Sequence, residues 1–185
     1  MTLVDVVLEV HDLLREHRVA HAFGGALALA YITDPRGTVD IDLNVFTAPG
    51  DEVVDVFESI GFVPDRPRDE WLPTAGVRFR RARDPFPLDV FPPLDENRYA
   101  EVRRRVIRRA FGPGGRRLPF LGAEDLTVFK LSFGRNKDWV DLRNIAAARP
   151  DLDLAYVAEQ LVALRGPTMY PRVARLRSYL HGPSS

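Results

Sequence analysis

The chain has 185 residues, 45% of them hydrophobic, which is enough for one domain, or for one domain with a small helical appendage. It has no cysteine, so disulfides and thiolate metal sites are excluded. No apolar run approaches the roughly 20 residues that cross a membrane, and the N-terminus does not resemble a signal peptide, so a soluble cytoplasmic protein is expected.

The charges are unevenly distributed along the chain, although their sum is zero. Residues 1–60 hold eleven acidic and three basic side chains, a net charge of −8, whereas residues 78–117 hold twelve arginines and five acids, a net charge of +7. A zero total therefore does not exclude an anionic partner for the second segment. The alternative is that these arginines only cover solvated strand and helix faces.

Helices and strands alternate in the first part of the chain. Apolar residues at helical spacing, short alternating runs and glycine or proline breaks mark the boundaries. The predicted elements are a helix over 2–18, a strand over 19–23, a helix that follows the Gly24-Gly25 turn and ends before Pro35 and Gly37, a strand over 38–46, and a helix over about 50–60 that ends at Gly61.

The second part of the chain changes from strands to helices. After a proline-rich loop, the predicted elements are strands over 76–82 and 86–92, a short helix over 97–106, a hairpin over 106–121, and helices over about 123–134, 138–147, 153–165 and 169–181. Asp153 and Thr168 are candidate helix N-caps. The sequence therefore predicts an α/β core over 1–122 and a helical C-terminal region over 123–185 that packs on it.

The strand "VDIDLNV" carries two aspartates on one face. Alternation places Val39 and the apolar residues that follow on one side, and Thr38, Asp40, Asp42 and Asn44 on the other. Positions i and i+2 of a strand lie about 6.6–7 Å apart at their Cα atoms, so two carboxylates can converge on a divalent cation such as Mg²⁺. The alternative is an edge strand with a solvated face.

Asp89 is a candidate third carboxylate. It lies in the apolar strand "FPLDVF", where a lone acid is costly unless it has a partner. If this strand neighbours the strand over 38–46, Asp89 completes a three-carboxylate site; otherwise it is an acid at a strand end that faces water. The Gly24-Gly25 turn opens a helix directly, so a phosphate can approach its backbone N–H groups closely.

Together these residues resemble the nucleotidyltransferase superfamily related to DNA polymerase beta. Its signature is Gly-Gly or Gly-Ser, a gap, Asp-x-Asp on a strand and a third Asp on a later strand. The longer run "RGTVDIDL", with Arg36 and Thr38, is typical of a branch that contains the AbiEii-type toxins of abortive-infection and toxin–antitoxin systems. That branch also tends to have a Lys in the first C-terminal helix and a basic-Asp-x-x-Asp run, which Lys130, Lys137, Asp138 and Asp141 match.

The resemblance implies an α+β fold, with a nucleotidyltransferase-like mixed β-sheet, flanking helices and a C-terminal helical bundle. It implies that Asp40, Asp42 and Asp89 bind Mg²⁺, that these three and Lys130 are catalytic, and that the nucleoside triphosphate is held by Gly24, Gly25, Arg36, Thr38, Lys137, Asp138 and Asp141. Two of these assignments have structural alternatives. A single lysine on a helix is common without any functional role, which is the alternative for Lys130. Asp138 and Asp141, at i and i+3, can instead form a structural ion pair.

Three functions remain open at this stage. The first is a toxin-like nucleotidyltransferase that modifies RNA, with tRNA as the expected acceptor, the arginine-rich segment as the phosphate-binding surface and a cognate antitoxin as partner. The second is a small-molecule enzyme of the aminoglycoside or lincosamide type, although the basic strands near Asp89 do not suit a polycationic drug. The third is an inactive nucleotide-binding domain. The four histidines show no metal-ligand spacing, and Trp71 and Trp139 are candidates for base stacking or for packing.

Overall fold

A seven-stranded mixed sheet is the centre of the first part of the protein. The computed structural model describes residues 1–35, 37–46, 51–67, 76–92 and 96–181. Within these residues the strands are β1 (His21–Phe23), β2 (Ile41–Val45), β3 (Val63–Pro64), β4 (Val77–Arg80), β5 (Leu88–Phe91), β6 (Ile107–Phe111) and β7 (Arg116–Phe120). They lie in the order β3-β4-β5-β2-β1-β7-β6.

Both parallel and antiparallel pairs occur in this sheet. β2 pairs in parallel with β5, and β1 in parallel with β7. The other neighbours, β1–β2, β3–β4, β4–β5 and β6–β7, are antiparallel. The mixed sheet and the predicted hairpin formed by β6 and β7 are therefore confirmed.

The helices flank the sheet or follow it in the chain. They are α1 (Leu3–Glu16), α2 (Gly25–Leu29), α3 (Asp51–Glu58), α4 (Glu96–Arg105), α5 (Ala123–Phe133), α6 (Asn136–Ala148), α7 (Leu154–Arg165) and α8 (Tyr170–His181). α1 begins at a capping box in which Thr2 accepts a hydrogen bond from the Asp5 N–H and the Asp5 carboxylate accepts one from the Thr2 N–H. Its inward face is buried, and Val6, Val7, Val10 and Leu14 are 0% exposed.

Several predicted boundaries differ from the structure. α2 ends at Leu29, well before Pro35, and β2 begins at Ile41, so Asp40 immediately precedes the strand. Asp153 is confirmed as an N-cap, because its carboxylate accepts a hydrogen bond from the Tyr156 N–H at 3.0 Å. The prediction for Thr168 was wrong: this residue lies inside a 3₁₀ turn, and α8 begins after it at Tyr170.

The chain divides into two compact units. The first contains Met1–Leu27 and Gly37–Phe120, and the second contains Ala28–Arg36 and Leu121–Ser185. The second unit therefore includes a short segment that the predicted division at residue 122 assigns to the core. Its apolar interior comes from α5 to α8, and its fully buried side chains include Leu131, Leu142, Ile145, Val157, Leu161 and Leu176. No helix in the described ranges is both long enough and apolar enough to span a bilayer.

Candidate active site

The β2–β5 pair brings two of the predicted carboxylates together. Asp42 lies directly opposite Asp89 in the register of this parallel pair. Adjacent strands are about 4.8 Å apart, and directly opposed residues share one face of the sheet. The other face of β2 is apolar, with Ile41 and Leu43 0% exposed. The two strands are therefore neighbours, which was the condition for Asp89 to belong to a three-carboxylate site.

Arg78 links the carboxylates and was not anticipated from the sequence. It lies on β4 directly opposite Asp89. Its Nε and Nη2 donate hydrogen bonds of 2.7 and 2.6 Å to the two Asp89 oxygens, and Nη2 lies 3.4 Å from Asp40 Oδ1. Both aspartates thus lie within hydrogen-bond range of one guanidinium nitrogen. The hydrogen bonds to Asp89 raise the pKa of Arg78 above its usual range, so its charge is permanent.

Gly25 is required by its contact with Asp42. Its φ of +52° is in the left-handed region that favours glycine, and a Cβ built there would lie 1.8 Å from Asp42 Oδ2. A serine, the other residue in the signature that this chain resembles, would collide with the carboxylate. The Gly24 N–H donates to the Asp42 carbonyl at 2.8 Å, so that N–H group is used within the sheet.

Thr38 shapes the segment that leads into β2. Its hydroxyl donates to the Asp40 carbonyl at 3.1 Å and accepts from the Asp40 N–H at 3.2 Å. This local turn positions Asp40 beside Arg78, so the structure gives Thr38 a role in orienting the carboxylate. Arg36, the other predicted residue of this motif, lies outside the described residues.

Asn44 is a further polar residue on the strand face of Asp42. It is 2% exposed, and its Oδ1 accepts no hydrogen bond within the described residues. A buried acceptor without a partner is costly, which makes it a candidate for a ligand contact. The alternation of "VDIDLNV" indicated its position, but an amide in a strand gives no functional signal by itself.

Lys130 forms a buried ionic cluster inside the second unit. The residue is 5% exposed, its Nζ lies 2.6 Å from Asp141 Oδ2, and a longer contact of 4.0 Å reaches Asp138 Oδ1. Asp138 also accepts hydrogen bonds from the Arg135 side chain at 2.8 and 3.3 Å. The two aspartates therefore contact Lys130, one of the two predicted lysines. The other, Lys137, is exposed on the first turn of α6.

The donor set suits a hard cation, although Arg78 supplies the positive charge between Asp40 and Asp89 in this structure. Within the described ranges, no group of three or more His, Cys, Asp or Glu side chains is arranged to hold a metal ion. Carboxylate oxygens are the ligands that Mg²⁺ prefers, and it commonly uses one or two of them together with substrate phosphates. Asp42 and Asp89, opposed on adjacent strands, meet that requirement. The three-carboxylate metal site remains a prediction.

The charge segregation of the sequence is partly cancelled in the fold. Glu9 on α1 pairs with both Arg81 and Arg83, and the Arg81–Glu9 distance is 2.7 Å. Asp12 on the same helix accepts hydrogen bonds from Arg116, one of them at 2.8 Å. Several arginines of the positive segment therefore neutralise the acidic first helix and are not available to a polyanion.

Comparison with solved structures identifies the fold. The antibiotic-resistance factor ANT(2'')-Ia aligns with a TM-score of 0.60 and 19% identity over 96% of both chains. The lincosamide antibiotic adenylyltransferase LnuA, solved with lincomycin bound, aligns with a TM-score of 0.52 and 18% identity over 77% of this chain and 95% of that one. An antigenic nucleotidyltransferase-like protein from Paracoccidioides brasiliensis gives 0.55 and 15%, over 96% and 91%. No family model and no curated protein matches the sequence. The chain therefore has the nucleotidyltransferase fold.

Proposed function

We propose that this protein transfers a nucleoside monophosphate from a nucleoside triphosphate to an acceptor hydroxyl. The observation that carries the proposal is the opposition of Asp42 and Asp89 on adjacent parallel strands, beside a glycine that has no room for a side chain. Two carboxylates on one sheet face repel each other unless a cation lies between them. The fold supports the same reaction class by analogy.

Each residue of this site has a distinct task in the proposed reaction. Asp40, Asp42 and Asp89 would hold Mg²⁺, which when bound neutralises the charge that develops on the triphosphate. Arg78 keeps Asp40 and Asp89 together before the substrate arrives. The acceptor oxygen forms a bond to the α-phosphorus, the bond from that phosphorus to the bridging oxygen breaks, and pyrophosphate leaves with the electron pair. Asp89 takes the hydroxyl proton.

We assign RNA as the acceptor, with tRNA as the first candidate, in the manner of toxin-like members controlled by an antitoxin. The support is a pair of exposed arginines, Arg103 on α4 and Arg108 on β6, that form no ion pair within the described residues. A triphosphate at the carboxylates does not need these side chains, whereas a longer polyanion gains from each one it reaches.

The test is a transfer assay with Mg²⁺, each labelled triphosphate and total tRNA. The wild-type protein should label RNA with at least one nucleotide, and Asp42→Ala should abolish labelling while its circular dichroism spectrum stays unchanged. Asp151→Ala, which removes an exposed carboxylate of the second unit, is the control and should keep full activity. Labelling of an aminoglycoside or lincosamide but not of RNA would overturn the acceptor, and no transfer to any acceptor would overturn the reaction.

A further inference from the structure

A cavity of about 360 Å³ lies at the end of the sheet opposite the carboxylates. It is bounded by His21, which opens β1, and by Phe46, which follows β2, whereas Asp42 lies near the other end of the same two strands. Phe46 is four positions after Asp42, a distance of about 13 Å at 3.3 Å per residue of extended chain. The volume is in the range of roughly 300–1,000 Å³ that small ligands occupy.

Four arginines from separate parts of the first unit converge on this cavity: Arg15, Arg18, Arg103 and Arg108. They come from α1, from the residue after its C-cap, from α4 and from β6. The described lining contains no aspartate or glutamate, and none of the four guanidinium groups has a hydrogen bond or ion pair within the described part of the chain. A concave surface with cations of one sign raises the local concentration of anions.

Arg18 reaches the cavity from a backbone conformation that costs free energy. Its φ is +56°, and it is the only non-glycine with a positive φ among the described residues. Glycine or asparagine usually occupies this position after a helix. An arginine in the left-handed region is therefore an outlier that adds a charge to the cavity wall.

Two buried histidines form a directed hydrogen-bond chain in the same wall. His21 Nδ1 donates to the Val19 carbonyl at 2.8 Å, because a carbonyl can only accept. His21 Nε2 is then an acceptor, and His11 Nδ1 donates to it at 3.0 Å. This chain fixes both tautomers and leaves His11 Nε2 as a position where a proton can be added without breaking either bond.

Both buried histidines favour the neutral form, and the charge of His11 depends on the charged groups around it. Burial lowers the pKa of His21 to about 4, and it lowers the pKa of His11, an effect that Asp12 opposes and Arg116, Arg15 and Arg108 reinforce. An anion in the cavity would screen those arginines and favour a proton on His11. Ligand binding and proton uptake are therefore linked at this site.

We propose that this cavity is a second anion site that binds a phosphate group, with Arg18, Arg103 and Arg108 as charge partners and His11 as an inducible hydrogen-bond donor. It is separate from the carboxylate site and does not depend on the proposed transfer reaction. The phosphate belongs either to a small phosphorylated ligand or to a nucleic-acid backbone, and the two sources are distinguishable by experiment.

The experiment follows the four histidine side chains by long-range ¹H–¹⁵N NMR while inorganic phosphate is added at pH 7 and constant ionic strength. We expect a saturable change in the His11 resonances and an increase in the pKa of His11. Arg108→Gln should weaken binding by about tenfold, the effect of one charge-assisted hydrogen bond. Arg109→Gln, the next residue on β6 and not part of the lining, should change it less than about twofold.

A second matched pair comes from α4. Arg103→Gln should weaken phosphate binding, whereas Arg104→Gln, whose side chain pairs with Glu101, should not. Asp42→Ala should bind phosphate like the wild type, which separates this proposal from the proposed activity. The proposal would be wrong if phosphate caused no saturable change. It would also be wrong if the two variants of either matched pair, on β6 or on α4, lost phosphate affinity equally.

Two further ligands identify the source of the phosphate. If adenosine monophosphate binds more tightly than a ten-nucleotide RNA in the same titration, the site is for a small ligand. If the RNA binds more tightly and loses affinity in Arg108→Gln but not in Arg109→Gln, the site holds nucleic-acid backbone. If neither ligand shows the Arg108 dependence, the cavity is not a phosphate site.

Discussion

Arg78 and Asp89 face each other across the β4–β5 pair and are joined by two hydrogen bonds, of 2.7 and 2.6 Å, between the guanidinium and both carboxylate oxygens. The same guanidinium reaches Asp40. An arginine thus neutralises part of a cluster that a divalent cation would otherwise have to neutralise alone. Arg78 and Mg²⁺ are therefore expected to compete for the Asp89 carboxylate. This competition should change how much Mg²⁺ stabilises the protein against unfolding.

Arg78→Met should destabilise the protein in the absence of Mg²⁺. The loss should be about 1–2 kcal/mol, a modest value because a third of the side chain is exposed. Magnesium should recover more stability in the variant than in the wild type, because Asp40 and Asp89 then lack their internal cation. Thermal unfolding with and without Mg²⁺ measures both effects. Arg80→Met on the same strand is the control, and an equal response in the two variants would contradict a specific role for Arg78.

Gly25→Ala should displace Asp42. The new Cβ would lie 1.8 Å from Asp42 Oδ2, and φ of +52° is itself unfavourable for alanine. We expect a loss of about 1–3 kcal/mol in unfolding free energy, and a loss of nucleotide transfer. Gly37→Ala is the matched control, because a Cβ there meets no atom within 4 Å. Denaturant unfolding and the transfer assay decide the question, and a fully active Gly25→Ala protein would show that Asp42 can move without consequence.

Lys130→Met should be strongly destabilising. Lys130 is buried with Asp141 at 2.6 Å, so its removal leaves a buried carboxylate without its closest cation. Breaking such a pair typically costs about 3–5 kcal/mol. Lys137→Met, at the exposed lysine seven residues later, should change stability by less than about 0.5 kcal/mol. Urea unfolding of both variants is the measurement. Similar midpoints for Lys130→Met and the wild type would show that the pair contributes no net stability.

The pattern of the sequence indicated most of the helices and strands, and it named Asp42 and Asp89 as candidate carboxylates. "VDIDLNV" and "FPLDVF" predict strands, but the sequence left their adjacency open, and it is seen only in the β2–β5 pairing. Arg78 could not be predicted, because its role depends on the register of β4 against β5. The predicted length of α2 was too great, because apolar residues after Gly25 continue the helical pattern beyond the point where the helix ends.

Long-range charge pairing was equally invisible in the sequence. The −8 and +7 segments appear separated along the chain, but α1 meets the arginine-bearing strands in space, and Glu9 and Asp12 pair with three of those arginines. His11 and His21 are ten residues apart, with no metal-ligand spacing, yet their rings are joined by a 3.0 Å hydrogen bond. Their positions on a helix and on the following strand do not specify this contact. It depends on how α1 packs against the sheet.

Stability should fall as the pH decreases through the weakly acidic range. The pKa of His21 is about 4 in the folded protein and 6.5 in the reference state, so the unfolded chain binds more protons between these values. The contribution of neutral His21 to the free energy of unfolding is fully present above pH 6.5. It decreases toward pH 4 by up to about 3 kcal/mol, because each pH unit corresponds to about 1.4 kcal/mol. His21→Leu should flatten this dependence, whereas His17→Leu, at an exposed position, should not. Urea unfolding at pH 7.5 and 5 tests this, and parallel profiles for His21→Leu and the wild type would contradict it.

The last prediction concerns the proposed RNA acceptor. Arg103 and Arg108 line the cavity, whereas Arg104 pairs with Glu101 and Arg109 lies next to the lining on β6. If RNA backbone occupies the cavity, the double variant Arg103→Gln/Arg108→Gln should weaken RNA binding. It should also reduce the slope of log affinity against log salt by up to about two contacts, each worth roughly 0.7–0.9.

The double variant Arg104→Gln/Arg109→Gln removes the same net charge from the same two elements, and it should retain most of the slope. Triphosphate binding should stay unchanged in both proteins, because neither pair belongs to the carboxylate site. Slopes that are reduced equally in the two double variants would show that RNA is attracted only by net charge. An unchanged slope in both would remove these arginines from the RNA surface and favour a small-molecule acceptor. A parallel loss of triphosphate binding would indicate a folding defect, which circular dichroism of the same samples would reveal.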